Sequence, residues 1–169
     1  MKANEAIFFR RSIRKYTKQQ VPDELVKLLI EAGMHAPSAR NLQPWHFVVV
    51  QKRTALDELS EVHPYGKMLK DATLAILVCG DKTIDNMDSY LIQNCSAATQ
   101  NILLAAHANG LGAVWLGVHP REERMSGIIK YFNLPEHILP ISLISIGYPA
   151  ETIEKPQRFN SDKIHFEKW

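Results

Sequence analysis

Two hydrophobic periodicities divide this chain. Leu25, Leu28, Leu29 and Ala32 recur at helical spacing, as do Leu56 and Leu59, whereas the stretches around Phe47–Val50 and Leu74–Cys79 are almost continuously apolar. Short continuous runs of this kind read as strands covered on both faces. A short helix is expected up to Phe9, with Asn4 as its cap and Glu5 in its first turn. A second helix opens at Val21-Pro22-Asp23-Glu24 and stops at Gly33 and Pro37. A strand buried on both faces follows over 46–51, then a helix from a Thr54 cap to Val62, a turn at His63-Pro64-Tyr65-Gly66, and a strand from Thr73 to Cys79 closed by Gly80-Asp81. The longest helical pattern runs from Asp88 to Asn109. Its apolar positions Tyr90, Leu91, Cys95, Ala97, Ala98, Ile102, Leu103, Ala105 and Ala106 cover more than one stripe, which places it either in the core or against a partner subunit. A short strand over 113–116, a helix over 120–132 with Pro120 at its start, and a last strand over 141–146 complete the series. From Ala150 to Trp169 periodicity fades, yet Phe159, Ile164, Phe166 and Trp169 remain. Such a tail is expected to lie across another surface. The pattern predicts one α+β domain over 1–169, without repeats or linkers.

Composition narrows the function classes. The 169 residues carry a net charge of +2, with 46% hydrophobic and 22% charged residues. These are values of an ordinary globular protein, and the charge is too small to point to nucleic acid or a membrane surface. No stretch approaches the roughly 20 apolar residues of a membrane span, and the N-terminus shows no signal-peptide pattern, so a cytoplasmic location is expected. Cys79 and Cys95 fall in apolar runs and read as buried free thiols rather than a disulfide framework. The seven histidines show no metal-ligand spacing. No G-x-G-x-x-G follows a strand, so a Rossmann dinucleotide domain is unsupported. A Cys95–His107 dyad fails because twelve helical residues separate the two by about 18 Å.

Candidate chemistry sits in two stretches. In Arg10-Arg11-Ser12-Ile13-Arg14-Lys15-Tyr16, an extended backbone would place Arg10, Ser12 and Arg14 on one side. Two guanidiniums flanking a hydroxyl can cradle a phosphate dianion; the alternative is a solvated basic face. In Ala36-Pro37-Ser38-Ala39-Arg40-Asn41-Leu42-Gln43-Pro44-Trp45-His46, two prolines favour a defined extended connection. Ser38, Asn41 and Gln43 there offer uncharged donors and acceptors, suited to a flat polar heterocycle or to turn chemistry.

Together with "GLGAVWLGV" and "IGYPAE" before a basic tail, these stretches make the chain resemble the nitroreductase-like flavoproteins over essentially its whole length. The resemblance implies a central, mostly antiparallel sheet flanked by helices, in an intertwined homodimer with FMN at the interface and the C-terminal tail extending over the partner. It implies phosphate and ribityl contacts from Arg10, Ser12 and Arg14, with Arg11 in the same cluster and Arg158 and Lys155 from the tail. Pro37, Ser38, Ala39, Asn41 and Gln43 would reach the cofactor from the other subunit, and Trp115, Leu116 and Gly117 would pass beside its ring. Ala39 stands where many members have serine, and the chain lacks the long insertion that helps form a lid in larger members. No side chain need be catalytic, since the flavin carries the electrons. The implied activity is ping-pong reduction of nitroaromatic, quinone or similar small acceptors by NADH or NADPH. The alternatives are a specialised flavin reductase such as a dehalogenase, and a non-catalytic phosphate- or nucleic-acid-binding module. Within Arg10–Tyr16 the only aromatic is Tyr16, which weighs against a single-strand nucleic-acid groove.

Overall fold

The computed structural model describes residues 2–169. At its centre is a four-stranded antiparallel sheet of β1 (Trp45–Val50), β2 (Leu74–Asp81), β3 (Gly112–Gly117) and β4 (Ile138–Gly147), in the order β1-β2-β4-β3. Alternation along β2 and β4 explains the layers on either side. Leu74, Ile76, Val78, Ile144 and Ile146 face one core with α2 (Asp23–Met34) and α4 (Asp88–Ala108). Ala75, Leu77, Cys79 and Leu143 face the other, with α3 (Arg53–Val62), α5 (Glu122–Phe132) and the side chains of Ile13 and Tyr16. Both inner strands are thereby covered on both faces and carry apolar residues at almost every position, as the sequence reading expected of β2. The sheet flanked by helices and the α+β class likewise agree with that reading.

Within α4, Leu91, Cys95, Ala98, Ile102 and Ala106 are buried, and the helix packs against α2 and the sheet. The core of this chain thus takes up most of its apolar girth, with Ala97 and Ala105 half-buried and Tyr90 exposed. Cys79 and Cys95 are free and buried, as expected, and burial pushes both thiols up to about 12.

Several expected details shift. β1 is not buried on both faces: it lies at the sheet edge, and Val49 is 40% exposed. The inward stripe of α2 is Val26, Leu29 and Gly33 rather than one including Leu28, because Gly33 lets Ile102 and Phe47 approach to within 3.1 Å of where a Cβ would stand. That glycine therefore sits inside the helix, which ends at Met34. The helix starts also move. α1 (Ala3–Phe9) is preceded by Lys2, whose amide donates to Glu5 at 3.0 Å, so Asn4 is not the cap. α3 begins at Arg53 without a side-chain cap from Thr54, and α5 begins at Glu122, two residues after Pro120. Beyond Ala150 the tail is irregular apart from a short 3-10 turn, Ser161–Lys163, and Phe159, Phe166 and Trp169 are exposed on the chain taken alone.

The end of β3 is set by its neighbour. The β2–β4 register slips at Val78/Cys79, opposite Pro140, a residue with no backbone N–H for the ladder. Ile141 then accepts from the amides of Val118 at 3.2 Å and His119 at 3.1 Å, which turns the chain away after Gly117.

Two glycines admit the N-terminal arm. A Cβ on Gly112 would meet Ile13 at 2.6 Å, and one on Gly147 would meet the Tyr16 ring at 3.0 Å. Replacing Gly112→Ala should therefore destabilise the fold by about 1–3 kcal/mol through overpacking. The measurement is chemical denaturation; an unchanged midpoint would show that the arm does not depend on this contact.

Candidate functional site

The arm from Arg10 to Thr17 is held by backbone more than by side chains. Ser12 bridges Ala113 in parallel, and the Ile13 amide donates to the Ala113 carbonyl at 3.1 Å. The Thr17 amide donates to Tyr148 at 2.8 Å, and Ala150 donates back to Lys15 at 2.9 Å. Glu151 Oε1 accepts from the amides of Arg14 at 2.6 Å and Lys15 at 3.1 Å. The Tyr16 hydroxyl donates to the Ile13 carbonyl at 2.6 Å, with the Ser145 carbonyl at 3.1 Å. Burial holds that phenol well above its usual range. The inward residues Ile13 and Tyr16 are three apart, so the strict two-residue alternation expected of the arm does not run its full length.

This anchoring distributes the cations into two groups. Arg10 is partly buried, and its charged form is disfavoured first by that desolvation and then by the positive charges of Arg11 and Arg158. Arg11 donates to the carbonyls of Glu154 at 3.2 Å and Phe8 at 2.6 Å and also to that of Arg10, so it ties the arm to α1 and the tail. Lys155 lies 4.7 Å from the centre of the Phe9 ring. Arg11, Lys155 and Arg158 line a cleft of about 920 Å³ with Ile7, Phe8 and Phe159. Arg14 lies elsewhere. It lines a second cleft of about 620 Å³ together with Trp115, Leu116 and Gly117, so one arm residue does meet the predicted wall. Among the described residues, Arg10, Arg14, Lys155 and Arg158 form no ion pair.

The second cleft also contains His63, Tyr65, Lys67 and Arg124, none of them among the candidate site residues of the sequence. The Gly117 carbonyl is braced twice, by Arg124 Nη1 donating at 2.9 Å and by His63 Nε2 at 3.1 Å. The Tyr65 amide donates to His63 Nδ1 at 3.2 Å, which assigns the ring proton to Nε2. His63 is 1% exposed. Desolvation lowers its pKa first, the Gly117 carbonyl opposes this, and the Arg124 charge adds to the lowering. The Arg124 guanidinium is 5.0 Å from the centre of the Tyr65 ring. Sequence offered one signal for this cluster: Arg121 and Arg124 stand at the start of a helix, where the macrodipole favours acids.

The segment from Pro37 to Gln43 is built differently. The Gln43 amide donates to Ser38 Oγ at 3.0 Å, and Gln43 Nε2 donates to Asn41 Oδ1 at 2.9 Å. Asn94 Oδ1 accepts from the Ala39 amide at 3.0 Å, and buried Asp85 accepts from Arg40 Nη2 at 3.3 Å. Arg40, Asn41 and Gln43 have positive φ values of 55°, 55° and 51°. Three non-glycine residues in the left-handed region within four positions make a strained segment, of a kind that clusters at ligand sites. The segment feeds β1, the opposite edge of the sheet from β3. Three strand spacings, roughly 14 Å, separate the two edges. Within one chain, therefore, Pro37, Ser38, Ala39, Asn41 and Gln43 are not brought together with Arg14, Trp115, Leu116 and Gly117.

The profile of the nitroreductase family matches residues 7–63 and 55–148. A Methanothermobacter thermautotrophicus protein, provisionally named an NADH dehydrogenase/NAD(P)H nitroreductase, is 52% identical over 165 residues, covering 98% of this chain and 86% of its own. A Parabacteroides distasonis protein with the same provisional name superposes with a TM-score of 0.94 at 42% identity, over 99% of this chain and 98% of that one. A provisionally assigned nitroreductase from Desulfovibrio desulfuricans, solved in complex with FMN, gives a TM-score of 0.86 at 34% identity, over 100% of this chain and 98% of its own.

Because its charged form is disfavoured in the fold, His63 makes stability depend on pH. Well above pH 6.5, the ordinary histidine value, both folded and unfolded forms are neutral. As the pH falls below that value the unfolded chain takes up a proton that the folded one resists, so stability is lost. The drop in melting temperature between pH 7.5 and 5.5 is expected to be smaller in His63→Gln than in the parent, and equal drops would show that His63 contributes nothing to it.

Proposed function

Since the chain belongs to the nitroreductase family, we propose that it is an FMN-containing oxidoreductase that takes electrons from NADH or NADPH and delivers them to a small organic acceptor. The observation that carries this reading is the second cleft, where Arg14 meets Trp115 and Gly117 without any acidic side chain in the lining. The residues fit the group. Arg10, crowded by Arg11 and Arg158 and partly desolvated, lacks the counter-charge that a phosphate dianion would supply. At Gly117 an added Cβ would find only Arg124 Nη1, at 3.8 Å, so a flat ring can lie along that backbone.

In this reading the ligand spans the arm. Ser12 and Arg14, the latter beside Trp115 and Gly117 in the second cleft, hold the ribityl chain and phosphate from one side. Arg10 and Arg158, grouped with Arg11 and Lys155 towards the tail, hold the phosphate from the other. Trp115, Leu116 and Gly117 form the wall beside the ring. Pro37, Ser38, Ala39, Asn41 and Gln43 act on the cofactor of a second copy, which the width of the sheet between the two sets supports. The homodimer would also cover the exposed Phe8, Phe9, Phe159, Phe166 and Trp169, with the tail extending over the partner. Bound FMN supplies hydride and electron transfer. The chain's own contribution is to bind it, orient it and leave one face open in turn to the nicotinamide donor and to a nitroaromatic, quinone or similar acceptor.

The absorbance spectrum of the purified protein tests this. Flavin bands, present as isolated or after addition of FMN, should bleach on anaerobic addition of NADH or NADPH, and a protein that neither carries nor takes up FMN would refute the assignment. Initial rates at several fixed acceptor levels should give parallel double-reciprocal lines, and intersecting lines would refute a shared face. Arg10→Gln should weaken FMN binding by about tenfold or more, the worth of one charge-assisted contact.

A further inference from the structure

We propose that Arg124 is the docking point for an anionic group on the acceptor, so that aromatic acceptors bearing a carboxylate are selected over neutral ones. The inference rests on the FMN reading above and names the substrate class of the same site.

The cleft beside Gly117 holds three cations, Arg14, Lys67 and Arg124, and no acid lines it. None of the three forms an ion pair among the described residues. Arg14 comes from the arm and belongs to the cofactor side. Arg124 comes from α5 and also lines a neighbouring cleft with Tyr65, Arg121, Glu122 and Glu123, which Arg14 does not line. Those two acids line the outer cleft only, so the acid-free side of Arg124 is the one towards Gly117.

The guanidinium is also fixed in place. Nη1 is spent on the Gly117 carbonyl at 2.9 Å, and the Tyr65 ring centre lies 5.0 Å away. One of five N–H donors is thereby used, leaving the planar fork able to take a carboxylate. Pre-positioning removes much of the rotamer entropy that usually weakens an exposed arginine contact. Tyr65, largely exposed, offers a ring face beside it for an aromatic acceptor. The Gly117 backbone, which would flank the flavin, and the charge that would hold the carboxylate are thus one hydrogen bond apart. Arg124 acts here as a specificity residue, not a catalytic one.

The test compares 4-nitrobenzoate with its methyl ester, which is at least as easily reduced but uncharged. With the FMN-loaded enzyme and NADH, the parent should favour the carboxylate in kcat/KM by about tenfold or more, a preference that rising salt erodes. Arg124→Gln should raise KM for 4-nitrobenzoate about tenfold more than it raises that for the ester, and Arg124→Lys should restore part of that difference. Calorimetric titration of the loaded enzyme without NADH should show the same loss of 4-nitrobenzoate affinity. Equal losses for both acceptors would overturn the proposal, reducing Arg124 to a support for Gly117. So would a KM change confined to NADH, or no preference in the parent. A protein that holds no FMN, or whose FMN is not reduced by NADH or NADPH, would instead sink the oxidoreductase reading, whatever stands at position 124.

Discussion

The structure depends on how the arm from Arg10 to Tyr16 is laid against β3 and β4. Ile13 and Tyr16 occupy space that only glycine leaves open at Gly112 and Gly147, and Glu151 clasps the arm's amides. With its backbone committed in this way, the arm keeps Arg10 half-buried, while Arg14 remains exposed. Arg10 stays near Arg11 and Arg158 at a cost in desolvation and repulsion, which the surrounding contacts offset. A site held in that condition is prepared for an anion before any anion arrives.

The second constraint is the width of the sheet. The strained turn at Arg40, Asn41 and Gln43 is braced from beneath by Asn94 and Asp85, and it leaves Asn41 and Gln43 at the surface. It stands at the β1 edge, while the arginine arm and Trp115–Gly117 stand at the β3 edge. A ligand needing both sets has to bridge two copies of the chain. Strain on one edge and unpaired charge on the other are complementary halves of a shared site in the proposed reading.

Much of this was legible in the residue pattern, for identifiable reasons. β2 and the long α4 were visible because continuous apolar content leaves few alternatives, and the basic arm and polar loop stood out by residue type. The burial of β1 was misjudged because Phe47–Val50 is apolar like an inner strand, and edge position is a property of topology, not of the strand's own residues. The stripe of α2 slipped because Gly33 serves as a contact surface for Ile102 and Phe47 rather than as a stop. His63, Tyr65, Lys67 and Arg124 are not legible as a site in the sequence, because they come from a turn, a 3-10 segment and a helix start. Only the tertiary fold gathers these around the Gly117 carbonyl.

The central claim is that the crowded cations bind a phosphate. It is tested most directly by comparing FMN with riboflavin, which has the same ring and ribityl chain but no phosphate, in fluorescence titrations of the cofactor-free protein. Two or more charge-assisted contacts predict that riboflavin binds at least about 100-fold more weakly. Equal affinities would contradict the account, because the ring alone would then hold the cofactor and the arginines would have no anion to answer.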